Sequence, residues 1–294
     1  MQTLNEQLKQ LMKRKKLSFA TVSKSLGIAR SRLNMWINAN YPGDTVKIEN
    51  AVRAFIEREK LREAKHTIDF LQTSIARVVF EVAETCHIEG EIGVCYGLAG
   101  LGKTSAVKEY ARLNPDVILI EADLGYTARV LFSEIHKKLG FEGTGTTHSM
   151  IVEIIDRLKD SGRLIIVDEA EHLPYKSLEL LRRLHDKADI GILLTGMPRL
   201  IENLRGKKRQ YAQLYSRVGM AKKLDKLSLE DTKLIINNVL PNYIYLAEDF
   251  YSLSLGNTRI LSKLIMRSIN LAEINNEPLG REVIVETSNV LLRR

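Results

Sequence analysis

Apolar residues recur every three or four positions through the first sixty residues, which is the spacing of amphipathic helices. The apolar positions of a first helix are Leu4, Leu8, Leu11 and Met12. Beyond it, Ser18 can cap a second helix, and Gly27 allows a tight turn into a third. The side chains expected on the inner face of that third helix are Leu33, Trp36 and Ile37. The pattern predicts an all-α helix-turn-helix domain over residues 1–60, followed by a charged linker over residues 61–70.

After the linker, short continuous apolar runs alternate with amphipathic stretches, which is typical of βα units. The runs that predict strands lie within 92–96, 116–123, 163–173 and 189–196. Amphipathic helices are expected over residues 127–139 and 147–160. We therefore expect a doubly wound α/β core with a parallel sheet over residues 71–225, in which the last of these strands lies between the first and the third. From Ser228 onward the pattern is helical, which predicts a small helical lid over residues 226–294.

The positive charge of the chain is concentrated in its first segment. The chain has 294 residues, with 44 Lys and Arg against 36 Asp and Glu, which gives a net charge of +8. Residues 1–65 alone hold 14 basic and 6 acidic residues, so the whole excess belongs to them. A small basic domain joined to a neutral larger one favours a polyanionic partner, and double-stranded DNA is the partner we expect.

The sequence gives no sign of a membrane partner or of a metal-stabilised fold. No run approaches the roughly 18 apolar residues that a membrane span requires, so we expect a soluble protein in the cytoplasm of a bacterial or phage-infected cell. Cys86 and Cys95 form no CxxC pair, which argues against a disulfide framework and against a zinc site.

The helix after Gly27 carries polar residues near its start. The predicted DNA-binding residues there are Arg30, Ser31, Arg32 and Asn34. They lie where a recognition helix meets the major groove or the phosphates. Arginine pairs with guanine edges or with phosphates, and the sequence does not separate the two. A purely structural helical bundle with the same turn is the alternative interpretation.

The segment 97–104 reads GLAGLGKT, follows an apolar strand and precedes an amphipathic helix, which is the context of a phosphate-binding loop. Such a loop cradles phosphates with backbone N–H groups, which its glycines leave accessible. The predicted nucleotide-binding residues here are Gly97, Gly100, Gly102, Lys103, Thr104 and Ser105. Lys103 is expected to reach the β- and γ-phosphates, and the Thr104 hydroxyl to bind Mg²⁺. The sequence therefore predicts ATP and Mg²⁺ as cofactors.

Two acids end the apolar run within 163–173. At the carboxyl end of a parallel strand beside the phosphate loop, Asp168 is expected to hold Mg²⁺ and Glu169 to polarise the attacking water. The pair indicates hydrolysis in addition to binding. In the alternative interpretation, Glu169 and Glu171 are solvated acids at the start of a helix.

Four motifs occur in the order and spacing of AAA+ ATPases: GLAGLGKT, LIIVDEAEHL, YSRV at 215–218 and GNTRIL at 256–261. The chain resembles that superfamily. The resemblance implies that Arg217 is a finger that completes the catalytic site of a neighbouring subunit, and that Arg259 is the sensor arginine of the lid. A finger supplied by a neighbour implies that hydrolysis requires a homo-oligomer.

Further stretches of the sequence narrow the resemblance to one family within that superfamily. They are YPGD before the last N-terminal helix, KEYARLN after the phosphate loop, LYSRV followed by a Lys pair, and TRIL in the lid. In these stretches the chain is similar, over nearly its full length, to the Mu B-type AAA+ target-selection ATPases of DNA transposition. That resemblance implies ATP-dependent assembly into a ring or helical filament on target DNA, and delivery of that DNA to a transposase.

One position departs from the family. The family has Asn after the glycine that ends the 189–196 strand, whereas this chain has Met197. A methionine side chain offers no useful hydrogen bond to water or to a γ-phosphate. Either Thr195 substitutes for the missing group, or hydrolysis is slow.

A basic cluster in the segment 204–210 is a second candidate for DNA contact. Its predicted phosphate-binding residues are Arg205, Lys207, Lys208 and Arg209. Phosphate contacts of this kind do not depend on the DNA sequence, and they weaken strongly as the salt concentration rises. A solvated surface loop is the alternative interpretation.

Together these features predict an ATP-dependent, largely non-specific DNA-binding ATPase that acts in DNA transposition. Two alternatives stay open: a helix-turn-helix transcriptional regulator that uses nucleotide as a sensor, and a replication initiator or helicase loader. One preferred DNA site with little ATP turnover would favour the regulator, and a helicase partner would favour the loader.

Overall fold

The chain folds into two compact units, residues 1–67 and 68–294, in a computed structural model. The structure describes residues 3–63, 69–206 and 211–291. Within those ranges, no helix is both long and apolar enough to cross a lipid bilayer.

The first unit is all-α, as predicted. Its described helices are α1 (Leu4–Arg14), α2 (Phe19–Leu26), α3 (Arg30–Ile37) and α4 (Val46–Glu63). Thr3 and Glu6 form a capping box at the start of α1. Ser18 caps α2, because its hydroxyl accepts a hydrogen bond from the Thr21 amide. Gly27 ends α2 in the left-handed conformation, with φ at 66°, and so turns the chain into α3.

The apolar faces of these helices meet in a core of their own. Its buried side chains are Leu8, Leu11, Met12, Val22, Leu33, Trp36, Ile37, Ile48, Val52, Phe55 and Ile56. The apolar positions named for the first and third helices all belong to this core except Leu4, which is partly buried against it. Trp36 is 3% exposed, so its ring contributes to this core and leaves little surface for other contacts.

Helix α4 extends into the segment that the sequence assigns to the linker. It runs to Glu63, whereas the linker is predicted at 61–70. Its Glu59 pairs with Lys15 through a 2.6 Å contact between the carboxylate and the ammonium group, so the helix remains packed near its end. Residues 61–63 are therefore helical, and residues 64–68 lie outside the described part of the chain.

A parallel β-sheet forms the centre of the second unit. Its strands are β1 (Ile92–Tyr96), β2 (Ile118–Glu121), β3 (Leu164–Asp168), β4 (Gly191–Gly196) and β5 (Val218–Lys223). They lie in the order β2-β3-β4-β1-β5, so β4 lies between β1 and β3, as predicted. The edge strand β5 is not among the predicted strands. Only its Val218 and Met220 are partly buried and its Lys222 and Lys223 are exposed, so its apolar pattern is weak.

Helices cover both faces of this sheet. Those described are α5 (Ser74–Glu89), α6 (Lys103–Leu113), α7 (Ala128–Lys138), α8 (Thr147–Leu158), α9 (Tyr175–Ala188), α10 (Arg199–Arg205), α11 (Ala212–Tyr215), α12 (Leu229–Val239), α13 (Ala247–Ser254), α14 (Thr258–Asn275) and α15 (Arg281–Val290). One core lies under α5 and α6 and continues into the lid helices α12 to α15. The other lies under α7 to α10. The doubly wound α/β core with a helical lid is confirmed.

Helix α5 packs directly on the backbone of two strands that carry glycine there. A Cβ atom on Gly93 would lie 2.4 Å from the Sγ of Cys86, and one on Gly191 would lie 2.0 Å from the Cys86 carbonyl oxygen. Any larger residue at either position would therefore force α5 away from β1 and β4. Burial raises the pKa of the Cys86 and Cys95 thiols to about 12, so both are protonated at neutral pH.

Candidate nucleotide site

The loop between β1 and α6 has the backbone geometry expected of the predicted phosphate loop. Gly100 and Gly102 have φ angles of 81° and 97°, which residues with a Cβ rarely adopt. Gly97 packs closely against the backbone of Leu224, since a Cβ on Gly97 would lie 2.9 Å from the Leu224 carbonyl oxygen. Helix α6 begins at Lys103, so its free N–H groups and its positive dipole end face the loop. An anion is favoured at this point.

Lys103 is buried at the centre of the loop. Its ammonium group donates hydrogen bonds to the carbonyl oxygens of Gly97 and Leu98, each over 2.8 Å. Burial lowers the pKa of Lys103, and the nearby carboxylates of Asp168 and Glu171 oppose that effect. The ammonium is therefore held in a partly dry site beside two acids, where it can interact strongly with phosphate oxygens.

Asp168 lies at the carboxyl end of β3, opposite the phosphate loop. It is 1% exposed, and its Oδ1 accepts a hydrogen bond of 2.5 Å from the Thr195 hydroxyl. Within the described residues its Oδ2 has no hydrogen-bond partner although it is buried. An unpartnered buried carboxylate oxygen fits a metal-bound water or a Mg²⁺ ion, and oxygen is the donor that Mg²⁺ prefers. The Thr104 hydroxyl lies on the same cavity.

A cleft of about 450 Å³ joins these groups. Its lining includes the predicted Gly100, Gly102, Lys103, Thr104, Ser105, Asp168, Glu169 and Arg259. Gly97 is absent from that lining and contacts the site through the Lys103 ammonium. The volume is within the range of small-molecule sites.

Glu169 and Glu171 differ in their surroundings, although both line the cleft. Glu169 has a left-handed backbone, with φ at 53°, and its side chain is 59% exposed. Its carboxylate lies 3.8 Å from the His172 Nε2. Glu171 Oε2, in contrast, is buried and has no hydrogen-bond partner within the described residues. The sequence-based description of Glu171 as a solvated acid is therefore wrong.

The lid contacts the phosphate loop through three consecutive residues. Asn257 Nδ2 and Thr258 Oγ1 donate hydrogen bonds to the carbonyl oxygens of Ala99 and Leu101, over 2.9 and 3.0 Å. The amide of Arg259 donates to the Gly100 carbonyl over 3.1 Å. Arg259 is thereby fixed at the rim of the cleft. The sequence motif predicts this arginine, and the contacts of its two predecessors were not foreseen.

Arg217 lies outside the cleft of its own chain. Its side chain is 55% exposed, and its Nε is 3.3 Å from the Asp186 Oδ1 of α9. An exposed arginine that does not reach its own cleft is compatible with a role at a neighbouring subunit. The same position also fits an ordinary surface ion pair.

A second cavity of about 340 Å³ adjoins the phosphate loop on the side of α5. Its apolar lining residues are Phe70, Leu71, Ala76, Leu101 and Ile235. The sequence analysis missed this cavity. The signal that was available is the apolar pair Phe70 and Leu71 directly after the charged segment. A flat apolar group such as a purine base would be desolvated there.

Met197 is 40% exposed and lines the cleft just beyond β4. Thr195, in contrast, is fully buried and directs its hydroxyl proton at Asp168. Because that hydroxyl is already engaged, Thr195 acts on Asp168, and its donor is not directed at a γ-phosphate.

Five of the predicted DNA-binding residues lie in the described part of the chain. Arg30, Ser31, Arg32 and Asn34 are all exposed on α3. Arg205 is exposed at the end of α10, with its guanidinium 4.9 Å from the centre of the Tyr215 ring. The predicted residues Lys207, Lys208 and Arg209 lie outside the described part of the chain.

Known proteins resemble this chain in sequence, and others resemble it in fold. A family model described as an AAA domain matches residues 88–204. The Mu-like prophage FluMu DNA transposition protein B of Haemophilus influenzae is 30% identical over 241 residues, which cover 79% of this chain and 84% of that protein. The ATP-dependent target DNA activator B of Escherichia phage Mu is 27% identical over 234 residues, covering 78% of this chain and 75% of that protein.

Among solved structures, the ORC2 protein of Aeropyrum pernix superposes with a TM-score of 0.56 at 16% identity. That match covers 75% of this chain and 67% of the other, and it supports the fold alone. The phosphate loop, the buried Asp168 and the lid arginine thus occur in a chain whose sequence matches the prophage protein over most of its length. The chain belongs to the Mu-type DNA transposition protein B family of AAA+ proteins.

Proposed function

We propose that this protein is an ATP-dependent, largely non-specific DNA-binding ATPase that oligomerises on target DNA and delivers that DNA to a transposase. The observation that carries the proposal is the single cleft that joins the phosphate loop, the buried Asp168 and the lid Arg259. ATP bridges these elements in the proposal, so the lid position depends on the nucleotide.

The cleft assigns a role to each group in the proposed hydrolysis. The loop amides and Lys103 bind the phosphates, and Asp168 with Thr104 holds Mg²⁺. When bound, Mg²⁺ would neutralise charge that develops on the phosphate oxygens. Glu169 accepts the proton of the attacking water, for which its exposed carboxylate is accessible. The apolar second cavity beside α5 takes the base.

The exposed position of Arg217 supports the proposed oligomerisation. Since Arg217 does not line the cleft of its own chain, we infer that it reaches the γ-phosphate held by a neighbouring subunit. Hydrolysis then needs an assembled ring or filament, and ATP at the subunit interface favours the assembled state.

DNA binding is assigned to two basic regions. The first is the exposed face of α3 with Arg30, Ser31, Arg32 and Asn34. The second comprises Arg205 and the predicted residues Lys207, Lys208 and Arg209. The name of the phage Mu relative, a target DNA activator, supports target DNA and a transposase as partners.

Electron microscopy on random-sequence DNA tests this proposal. The wild-type protein is compared with ATP and with ADP, together with Lys103→Ala, at two salt concentrations. We expect polymers only with ATP and wild-type protein, and fewer of them at high salt. Discrete complexes at one DNA site, unchanged by nucleotide, would overturn the proposal and favour the transcriptional regulator.

A further inference from the structure

The end of β4 carries no side chain that can hydrogen-bond into the cleft. Gly196 has no side chain, and the thioether of Met197 is at most a weak acceptor. The Thr195 hydroxyl is committed to Asp168. The strand therefore ends beside the phosphate loop without a polar group of its own, although Gly196 and Met197 both line the cleft.

The carboxylate of Glu171 fills the space that a side chain at position 196 would take. A Cβ built on Gly196 would lie 2.2 Å from Glu171 Oε2. A residue larger than glycine would therefore displace the carboxylate. The backbone of Glu171 is anchored as well, because Asn203 Nδ2 donates to its carbonyl oxygen over 2.9 Å.

The partner that Glu171 lacks must be a hydrogen-bond donor. Its Oε2 is buried and accepts no hydrogen bond within the described residues. Glu171 also lines the cleft, where its carboxylate can accept a hydrogen bond from a bound water but, when ionised, cannot donate to phosphate oxygens. Glu171 lines the same cleft as Lys103, and its charge acts to raise the pKa of Lys103, against the larger opposing effect of burial.

We propose that Glu171, placed over Gly196, orients the attacking water and replaces the polar side chain that Met197 does not provide. This inference rests on the proposed ATP hydrolysis. In that reaction the water oxygen forms a bond to the γ-phosphorus, and the bond from that phosphorus to the bridging oxygen breaks with its electron pair on ADP. The water proton passes to Glu169. Glu171 accepts the second hydrogen bond of the same water and fixes its direction of attack.

The test compares Glu171→Gln and Glu171→Ala with wild type, in the full-length protein with DNA. Three quantities are measured: the kcat and KM of ATP hydrolysis, the Kd of a fluorescent ATP analogue, and the Tm. We expect kcat to fall about tenfold or more in Glu171→Ala, because positioning of the water is lost, and to fall less in Glu171→Gln, whose amide oxygen still accepts a hydrogen bond. The KM and Kd should change less than about twofold, since ground-state binding is retained. Glu202→Gln, which alters an exposed acid outside the cleft lining, is the matched control.

A second comparison introduces Met197→Asn into the Glu171→Ala background. An amide at position 197 can hold a water from the neighbouring position, so we expect kcat to recover at least about threefold. A Glu171→Ala variant with wild-type kcat would overturn the inference. So would a loss of kcat accompanied by equal losses of Tm and nucleotide affinity, because that pattern indicates a structural role. If wild-type protein on DNA hydrolyses no ATP and binds the analogue no better than Lys103→Ala, the proposed function itself has failed.

Discussion

Asn257 at the start of the lid helix α14 donates a hydrogen bond from Nδ2 to the carbonyl oxygen of Ala99 in the phosphate loop, over 2.9 Å. The same side chain caps the helix, because its Oδ1 accepts from the Ile260 amide over 3.1 Å. One amide thus joins the lid to the predicted phosphate loop. Gly100 permits this contact, since a Cβ there would lie 2.5 Å from Asn257 Oδ1.

Removal of this contact should weaken nucleotide binding. The Asn257→Ser variant keeps a side-chain oxygen for the helix cap, but its shorter side chain cannot reach Ala99. It therefore removes the contact with the loop and leaves the cap in place. Loss of one hydrogen bond of this kind corresponds to about threefold to tenfold weaker binding of a fluorescent ATP analogue. Asn270→Ala, on the exposed face of the same helix, is the control. An unchanged Kd in Asn257→Ser would show that the contact does not position the lid.

Asp231 should make stability depend on pH. Its carboxylate accepts hydrogen bonds from the amide and hydroxyl of Ser74, over 2.7 and 2.5 Å, and from Ser228. Burial acts to raise the pKa of Asp231, but these hydrogen bonds together outweigh it and leave the pKa below its usual value. The stabilisation is therefore complete above the unfolded-state pKa of about 3.9 and is lost as the pH falls through the lower, folded-state pKa.

Asp231→Asn should accordingly lower the free energy of unfolding by about 1–3 kcal/mol at pH 7. The difference from wild type should shrink as the pH falls below about 4. Urea denaturation between pH 7 and pH 3 measures both. Asp249→Asn, which removes a surface ion pair with Arg281, should cost only about 0–1 kcal/mol. A constant difference at every pH would contradict the assignment.

Arg217→Ala should abolish hydrolysis and spare nucleotide binding. If the arginine acts on a neighbouring subunit, kcat should fall at least about a hundredfold, while the Kd of an ATP analogue stays within about twofold. Mixing Arg217→Ala with Lys103→Ala should restore activity, because one variant supplies intact phosphate loops and the other supplies arginines. Arg183→Ala, another exposed arginine near this surface, is the control. Activity in the mixture equal to the sum of the separate variants would argue against a shared site.

The double variant Arg30→Ala with Arg32→Ala should bind DNA more weakly at every sequence if both side chains contact phosphates. The slope of log affinity against log salt should become shallower by about one for each lost contact. Fluorescence anisotropy with a labelled duplex at several salt concentrations measures both. The control is the double variant Lys9→Ala with Lys13→Ala, which removes the same amount of positive charge from the exposed face of α1. If this control weakens binding equally, net charge rather than the α3 surface is responsible.

The sequence predicts the parts of the fold that carry strong local patterns. The buried strands β1, β3 and β4 are continuous apolar runs, and the left-handed Gly27 marks the turn between α2 and α3. The phosphate-loop motif can be predicted because its chemistry requires particular residue types at fixed spacing. The positions of Lys103, Asp168 and Arg259 on one cleft are consistent with those motifs.

Other features depend on contacts between residues far apart in the chain, which a local pattern does not contain. Strand β5 is half polar because it lies at the edge of the sheet, so its sequence resembles a loop. The burial of the Glu171 Oε2 atom depends on the missing side chain of Gly196, 25 residues later. Helix α4 continues beyond its regularly spaced apolar residues. In that part of the helix, an ion pair between Glu59 and Lys15 keeps it packed on the unit.

The exposed Lys222 and Lys223 of β5 bear on how copies of this protein can meet. An edge strand presents unpaired backbone groups to which the edge of another molecule can add, and such pairing leads toward irreversible aggregation. Two adjacent ammonium groups on that edge repel an identical strand. In the nucleotide-dependent assembly proposed above, this repulsion would direct association to side-chain surfaces, where contacts can be broken again.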